Sequence, residues 1–148
     1  MSFSNLKYKI KVEAYSEDLK AGDLVYVEEY WEGTNTFSVR KAKADEEYPK
    51  NIATLVMIED VNDGRVGYAT REPFVLKGQD TDGRGSGVLI YLSKDEAGAW
   101  TEVPPIDDGE ITQAVGAIKK SHPTQGEVIF GLGLFQPVKN VVVEPSEP

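Results

Sequence analysis

The alternation of apolar and polar side chains near the start of the chain is the feature that most restricts its fold. Between residues 6 and 14, every second side chain is apolar, and the residues between them are charged. A period of two residues is typical of a β-strand with one buried face and one solvent-facing face. The apolar face would carry Leu6, Tyr8, Ile10, Val12 and Ala14, and the polar face Lys7, Lys9, Lys11 and Glu13. A β-strand is therefore predicted over residues 6–14.

Short apolar runs separated by turn signals continue this pattern along the chain. The sequences at residues 21–23, 32–35 and 62–64 are turns, since Gly, Asn and Asp tolerate positive φ. Such spacing predicts an all-β fold of about ten short strands, either a barrel or a sandwich. Only residues 16–20 and 107–113 favour one helical turn each. The predicted strands are 6–14, 24–27, 37–40, 52–61, 66–69, 74–76, 88–92, 99–103, 114–118 and 128–135.

The pattern predicts a single β domain over residues 1–148. The length suits one domain with a hydrophobic core, and neither a repeat nor a linker interrupts the chain. Residues 1–14 would form an N-terminal strand or arm, and residues 20–135 the core. Residues 136–148 would form a C-terminal strand, centred on Val141–Val143, and an extended tail.

Charge and composition exclude several kinds of function. With 16 Lys and Arg against 25 Asp and Glu, the formal net charge of −9 is a poor match for nucleic acid. The absence of cysteine and the single histidine, His122, argue against zinc fingers, disulfides and cysteine or serine–histidine catalysis. No apolar stretch approaches the roughly 20 residues of a membrane span, and the first residues lack the apolar core of a signal peptide. We therefore expect neither nucleic acid nor membrane as a partner, and a protein that is made and used in a cytoplasm or on a particle assembled there.

Closely spaced carboxylates suggest two candidate cation sites. Asp80-Thr81-Asp82-Gly83 resembles the start of a calcium loop, but the twelfth position, where such a loop needs a bidentate Glu, is Tyr91. Asp107-Asp108-Gly109-Glu110 fails the same test. Solvated turns are the simpler interpretation, and we predict no metal and no cofactor. Whether Asp80 and Asp82 bind a cation stays open at this point.

Two further motifs lack the partners that their chemistry needs. His122 precedes Pro123 in a polar loop, and no nucleophile marker accompanies it. The glycine-rich residues 83–87 lack the Lys-Ser/Thr and the following helix of a phosphate loop, so we interpret them as a mobile loop tip. An enzyme would need acids paired across a cleft, as in glycoside hydrolysis. The available acids are Asp80, Asp82, Asp107, Asp108 and Glu110. All of them lie in turn-like sequence, so we predict no catalytic residues and no enzymatic activity.

Aromatic and basic side chains suggest binding surfaces. Trp31 and Trp100, together with the seven tyrosines, could form a sugar-stacking face, although packing in a core or interface is the alternative. Lys7, Lys9 and Lys11 form a basic stripe on an acidic chain. This stripe either protects an edge strand from aggregation or contacts an acidic partner.

The layout of strands and turns over residues 20–135 resembles that of a known family. Its recognisable parts are Ala21-Gly22-Asp23-Leu24-Val25-Tyr26, Gly87-Val88-Leu89-Ile90-Tyr91-Leu92-Ser93, Ala97-Gly98-Ala99-Trp100-Thr101-Glu102-Val103-Pro104, Gln113-Ala114-Val115-Gly116-Ala117-Ile118 and Gly126-Glu127-Val128-Ile129-Phe130. This layout is similar to that of the small β proteins that decorate the heads of tailed bacteriophages, known as capsid decoration, cement or head-stabilising proteins.

The resemblance implies a non-enzymatic viral structural protein on the outer capsid surface of the virion. Such proteins commonly form homotrimers and clamp neighbouring major capsid subunits against the pressure of packaged DNA. The major capsid protein and further copies of the chain are the expected partners. The terminal segments would act as clamps by strand pairing, and deletion of residues 1–14 would leave a folded core. The expected interface residues are Leu6, Lys7, Tyr8, Lys9, Ile10, Lys11, Val12, Val141, Val142 and Val143.

One alternative stays within phage structure, and another belongs to a different class of binding protein. The first is a β domain of the phage collar, tail or fibre, which would be present in far fewer copies than a shell protein. The second is a carbohydrate-binding module that uses Trp31, Trp100 and the tyrosines.

Overall fold

A computed structural model describes residues 9–141 and confirms the predicted all-β fold. A short 3₁₀ helix covers Leu132–Leu134. The strands are β1 (Ile10–Ala14), β2 (Leu24–Trp31), β3 (Thr36–Lys41), β4 (Leu55–Met57), β5 (Val66–Thr70), β6 (Phe74–Gln79), β7 (Leu89–Leu92), β8 (Trp100–Thr101), β9 (Ile111–Thr112), β10 (Ala114–Lys120), β11 (Gly126–Phe130) and β12 (Val138–Lys139).

The first five strands form a closed barrel in the order β1-β3-β2-β4-β5. β1 pairs with β3 in parallel, with Val12 opposite Phe37, and it closes the ring by pairing antiparallel with β5. The predicted alternation in β1 is confirmed, since Val12 and Ala14 are buried and Lys11 is exposed. Aliphatic side chains fill the interior, which we call the barrel core. The barrel core consists of Val12, Ala14, Leu19, Val25, Val39, Leu55, Met57, Val61 and Ala69.

The second sheet has the order β6-β11-β10-β7-β8, and all of its pairings are antiparallel. Its inner face packs against the outside of the barrel, and we call the buried side chains between them the shared layer. The shared layer consists of Leu24, Tyr26, Ala42, Ala44, Ala53, Val56, Ile58, Phe74, Ile90, Leu92, Val115, Ile118, Val128, Phe130 and Leu132. β9 and β12 form a separate two-stranded ribbon.

β2 and β4 lie between the two hydrophobic regions, and this position explains their composition. Along β4, Leu55 and Met57 belong to the barrel core, whereas the intervening Val56 belongs to the shared layer. Likewise, Val25 of β2 faces the barrel core, between neighbours that face the shared layer. A strand that is buried on both faces is apolar without alternation, which accounts for the continuous apolar run over residues 55–58.

A buried side-chain amide bridges the barrel and the second sheet. Gln113, only 2% exposed, precedes β10. Its Nε2 donates to the carbonyl of Ala53, and its Oε1 accepts from the N–H of the same residue, each at 2.8 Å. Both backbone groups of Ala53 are thereby satisfied away from water, as buried peptide groups need to be.

The structure corrects several local predictions. Residues 16–20 form no helical turn, and Leu19 instead makes an isolated β-bridge with Val61. Residues 107–113 are a turn followed by β9, because Gly109 adopts a left-handed backbone conformation with a φ of +84°, which a right-handed helical turn does not contain. Glu110 holds this turn by accepting from the N–H of Asp107 at 2.9 Å. The strand predicted over 128–135 ends at Phe130, where Gly131 leads into the 3₁₀ helix. Of the predicted strand over 52–61, only β4 is a strand, and Val61 makes the isolated bridge to Leu19.

Candidate functional site

Both ends of the predicted clamp lie partly outside the described residues. Leu6, Lys7 and Tyr8 fall there, as do Val142 and Val143. Val141 is exposed and follows β12 without being part of a strand.

β1 contains the remaining clamp residues, and both of its edges are paired inside the barrel at Val12, whereas Ile10 and Lys11 pair with β5 alone. Strand addition to a neighbouring chain is therefore not open to Val12 in this fold. Lys9 and Lys11 are exposed, and the Nζ of Lys9 lies 5.3 Å from the centroid of the Tyr68 ring. Deleting residues 1–14 would remove β1 from the barrel, which argues against the expectation of a folded core after that deletion.

The Asp80–Gly83 segment forms a tight turn. The Asp82 N–H donates to Asp80 Oδ1 at 3.1 Å, and both carboxylates are exposed. Between them, the buried Thr81 hydroxyl donates to the carbonyl of Lys120 at 2.6 Å and accepts from the N–H of His122 at 3.0 Å. Within residues 9–141, no group of three or more His, Cys, Asp and Glu side chains is arranged to hold a metal ion.

The second acidic motif is held together by a lysine. The Lys94 Nζ lies 3.0 Å from Asp107 Oδ2 and 3.3 Å from Glu110 Oε2. These hydrogen bonds, first to Asp107 and then to Glu110, raise the pKa of Lys94. The motif thereby fastens the turn before β9 to the segment after β7.

His122 has a local structural contact. Its Nδ1 accepts from the backbone N–H groups of Thr124 at 3.0 Å and Gln125 at 2.8 Å. The nitrogen that accepts carries no proton, so the ring proton of the neutral side chain lies on Nε2. The histidine thus closes the turn between β10 and β11.

The middle of the glycine-rich loop, residues 84–86, is held against the second sheet by side-chain contacts. The guanidinium of Arg84 lies 5.2 Å from the centroid of the Trp100 ring and 3.0 Å from Glu102 Oε1. Ser86 Oγ also donates to the carbonyl of Lys119 at 3.1 Å. Arg84 therefore occupies one face of Trp100, which reduces the surface that this ring can offer to a sugar.

The β2–β3 hairpin presents the other tryptophan to solvent. Residues 28–31 pair with β3 alone, because β4 meets β2 only at Leu24 and Val25. The Tyr30 ring packs on Phe37, with centroids 4.7 Å apart, and its hydroxyl hydrogen-bonds to Asn35 Oδ1. Trp31 is 42% exposed. The hairpin and β8 belong to different sheets, and Trp31 and Trp100 make no ring contact with each other among the described residues.

Near the base of this hairpin, Tyr26 lies beside a depression of about 220 Å³ that is lined mostly by basic side chains. Its charged lining consists of Arg40, Lys41, Lys43, Lys50, Glu17 and Glu46. Burial, followed by a hydrogen bond to Glu28 and the charge of that residue, raises the pKa of Tyr26 to about 12. Tyr26 therefore stays a neutral hydrogen-bonding group at physiological pH.

A second concavity among the described residues is an acidic groove, which the sequence did not reveal. It has a volume of about 680 Å³ and lies between the segment after β3 and the turn before β9. Its charged lining consists of Asp45, Glu46, Glu47, Asp108, Glu110 and Lys139. The two acidic runs, at residues 45–47 and 107–110, were the available signal, but nothing local indicates that they lie on opposite sides of one groove.

Comparisons with known protein families, with curated proteins and with solved structures found no match. Among residues 9–141, no helix is long and apolar enough to cross a membrane.

Proposed function

We propose that this chain is a non-enzymatic structural protein of a tailed bacteriophage, which decorates the outer capsid surface and clamps neighbouring major capsid subunits. The observation that carries the proposal is the β2–β3 hairpin. Residues 28–31 have β3 on one side only, so their outer backbone edge is available to another protein. Tyr30 and Trp31 stand beside that edge, and exposed aromatic side chains are the residues that most often anchor protein interfaces.

The electrostatics of the chain fit a position outside the shell. A net charge of −9 disfavours contact with packaged DNA. A protein that binds only the assembled shell stabilises it by mass action, and many copies act together. The proposed partners are therefore the major capsid protein and, in a homotrimer, further copies of the chain.

The first experiment measures the copy number of this chain in purified phage particles. Quantitative mass spectrometry would compare it with the major capsid protein, and a shell-covering protein gives a comparable copy number. A far lower copy number favours a collar, tail or fibre protein instead. Complete absence from the particle would overturn the structural proposal, and a shift of tryptophan fluorescence on adding glycans would then be sought.

A second experiment tests the hairpin itself. Purified protein carrying both Tyr30→Ala and Trp31→Ala is expected to lose binding to capsids that lack the decoration protein. Val66→Ala is the matched control, because it removes another exposed apolar side chain from the barrel. Equal binding of the hairpin variant and the control would exclude the hairpin as the contact. Removal of residues 1–8 alone tests the N-terminal arm without taking β1 from the barrel.

A further inference from the structure

The acidic groove carries more negative charge than the described residues neutralise. Asp45 lies 3.3 Å from Lys43, and Glu110 lies 3.3 Å from Lys94. Glu46 and Glu47, in contrast, make no ion pair with any residue between 9 and 141. Lys139 is the one basic side chain in the described lining. A concave surface with one sign of charge concentrates ligands of the opposite sign.

A buried hydrogen-bond acceptor in the same groove is without a donor. Asn51 lines the groove and is 6% exposed, and its Oδ1 makes no hydrogen bond. Nearly all buried polar groups in folded proteins are hydrogen-bonded, because an unsatisfied one is costly. Asn51 therefore leaves an unused hydrogen-bond acceptor in the wall of the groove, and this observation is independent of the carboxylates.

The exposed ring of Tyr48 is the third feature of the groove that suits a ligand. Tyr48 lines the groove and is 79% exposed, so its face is open to a ligand. An aromatic face attracts a cation placed over it, and a planar guanidinium both stacks on the ring and donates hydrogen bonds from its edges.

We propose that the acidic groove binds the guanidinium group of an arginine carried by an exposed segment of another protein. A guanidinium has five N–H donors and no acceptor, which suits a lining of carboxylates and an amide oxygen. A metal ion fits less well, since no group of three or more metal-ligating side chains is assembled within residues 9–141. The inference rests on the groove alone and holds whether or not the chain decorates a capsid.

The test uses the full chain and a fluorescent pentapeptide in which glycine alternates with arginine. Its counterpart contains citrulline, which keeps the size of arginine but lacks the charge. Fluorescence anisotropy at low ionic strength is expected to detect binding of the arginine peptide only. Equal binding of the two peptides would overturn the proposal, because the charge of the guanidinium would then be irrelevant.

Variants with the same change in net charge distinguish peptide binding in the groove from general electrostatic attraction to the acidic chain. Glu46→Gln combined with Glu47→Gln is expected to weaken binding about threefold to tenfold, as expected for removing two exposed charges. Glu29→Gln combined with Glu32→Gln makes the same change in net charge at the exposed hairpin and is expected to leave binding unchanged. If both double variants weaken binding equally, the attraction is not specific to the groove and the proposal fails.

Asn51→Leu tests the buried acceptor separately from charge. The substitution replaces a polar side chain that has no partner at Oδ1 by an apolar one of similar size. Thermal unfolding is therefore expected to stay the same or to shift upward, while the arginine peptide binds more weakly. A folded Asn51→Leu variant that binds the peptide as tightly as the unmodified chain would exclude Asn51 from the site.

Discussion

In the barrel every strand has a hydrogen-bonded neighbour on both sides, whereas the second sheet has β6 and β8 as edge strands. The two regions also differ in their side chains. The barrel core is made of aliphatic residues, whereas the shared layer includes the aromatic rings of Tyr26, Phe74 and Phe130. A closed barrel buries its interior by closure alone, but an open sheet must cover one face with another element. The second sheet therefore depends on the barrel more than the barrel depends on it.

This comparison gives β2 and β4 a double role. Because successive side chains of a strand point to opposite faces, each of these strands contributes to the barrel core and to the shared layer at once. Loss of either strand would expose both hydrophobic regions. We therefore expect the barrel and the second sheet to unfold together.

Phe130→Ala is the largest single perturbation that we predict. Phe130 is fully buried in the shared layer and stacks on Phe74, with ring centroids 6.5 Å apart. Its truncation is expected to lower the free energy of unfolding by about 3–5 kcal/mol, as for other buried phenylalanines. Urea unfolding followed by circular dichroism measures this change. Met57→Ala is the corresponding truncation in the barrel core, and it is expected to lower the free energy of unfolding by about 2–5 kcal/mol.

Region-specific probes show whether the two regions remain coupled in that experiment. Trp31 reports on the barrel hairpin and Trp100 on the second sheet, so replacing either one by Phe leaves a single reporter. Coincident unfolding curves from the two reporters are expected, as for one cooperative unit. An earlier transition at Trp100 in Phe130→Ala would show that the shared layer does not couple the two sheets.

Gln113→Ala breaks the hydrogen-bonded link between the regions. The N–H and carbonyl groups of Ala53 would both lose their partner while staying buried. A cost of about 2–4 kcal/mol is expected, because each unsatisfied buried group is penalised separately. Gln136→Ala, which removes an exposed glutamine side chain, is expected to change stability little. A loss in Gln113→Ala no greater than in this control would mean that water replaces the amide.

Gly116→Ala tests how closely the strands of the second sheet approach one another. A Cβ at this position would lie 2.0 Å from the carbonyl oxygen of Ile129 in β11. Because backbone must move to relieve the contact, we expect a loss of about 1–3 kcal/mol. Gly133→Ala is the matched control, since a Cβ there meets nothing within 4 Å. Equal melting temperatures for the two variants would contradict the close approach.

The sequence predicted the fold best where burial is one-sided. Lys11 and Val12 alternate because β1 has one face in the barrel core and one in solvent. Residues 55–58 are continuously apolar for a different reason, namely that Leu55 and Val56 face two separate hydrophobic regions. Periodicity alone does not reveal where such a run stops pairing. The predicted strand was therefore too long.

The predicted sites depended on local motifs, and the structure uses most of these motifs to hold turns. The predicted helical turn at residues 107–113 was wrong because Gly109 adopts a positive φ there, which a right-handed helix does not contain. The acidic groove could not be predicted, because it is formed when the turn before β9 approaches Glu46 and Glu47 from a distant part of the chain. Such a site depends on tertiary packing, which spacing in the sequence does not encode.

Asp23 lies at the turn that leads into β2, the strand shared by both hydrophobic regions, and burial raises its pKa from the usual 3.8. The hydrogen bond from the backbone N–H of Lys20 and the charge of Lys41 act in the opposite direction. The folded protein therefore holds this proton more tightly than the unfolded chain does. The contribution of Asp23 to stability is fully present below about pH 3.8 and is lost as the pH rises through the raised pKa.

Asp23→Asn isolates that contribution and is the smallest effect that we predict. The asparagine keeps an oxygen that can accept from the N–H of Lys20, but it carries no charge to be buried. At neutral pH the variant should be as stable as the unmodified chain or slightly more stable. This difference should shrink or reverse as the pH falls, because only the unmodified chain gains stability by protonation at this position. Thermal unfolding between pH 4 and pH 7 measures the difference, with Asp95→Asn as the control for removing one exposed charge. If the stability of Asp23→Asn relative to the unmodified chain instead rises as the pH falls, the ionised carboxylate stabilises the start of β2, contrary to the effect expected from its burial.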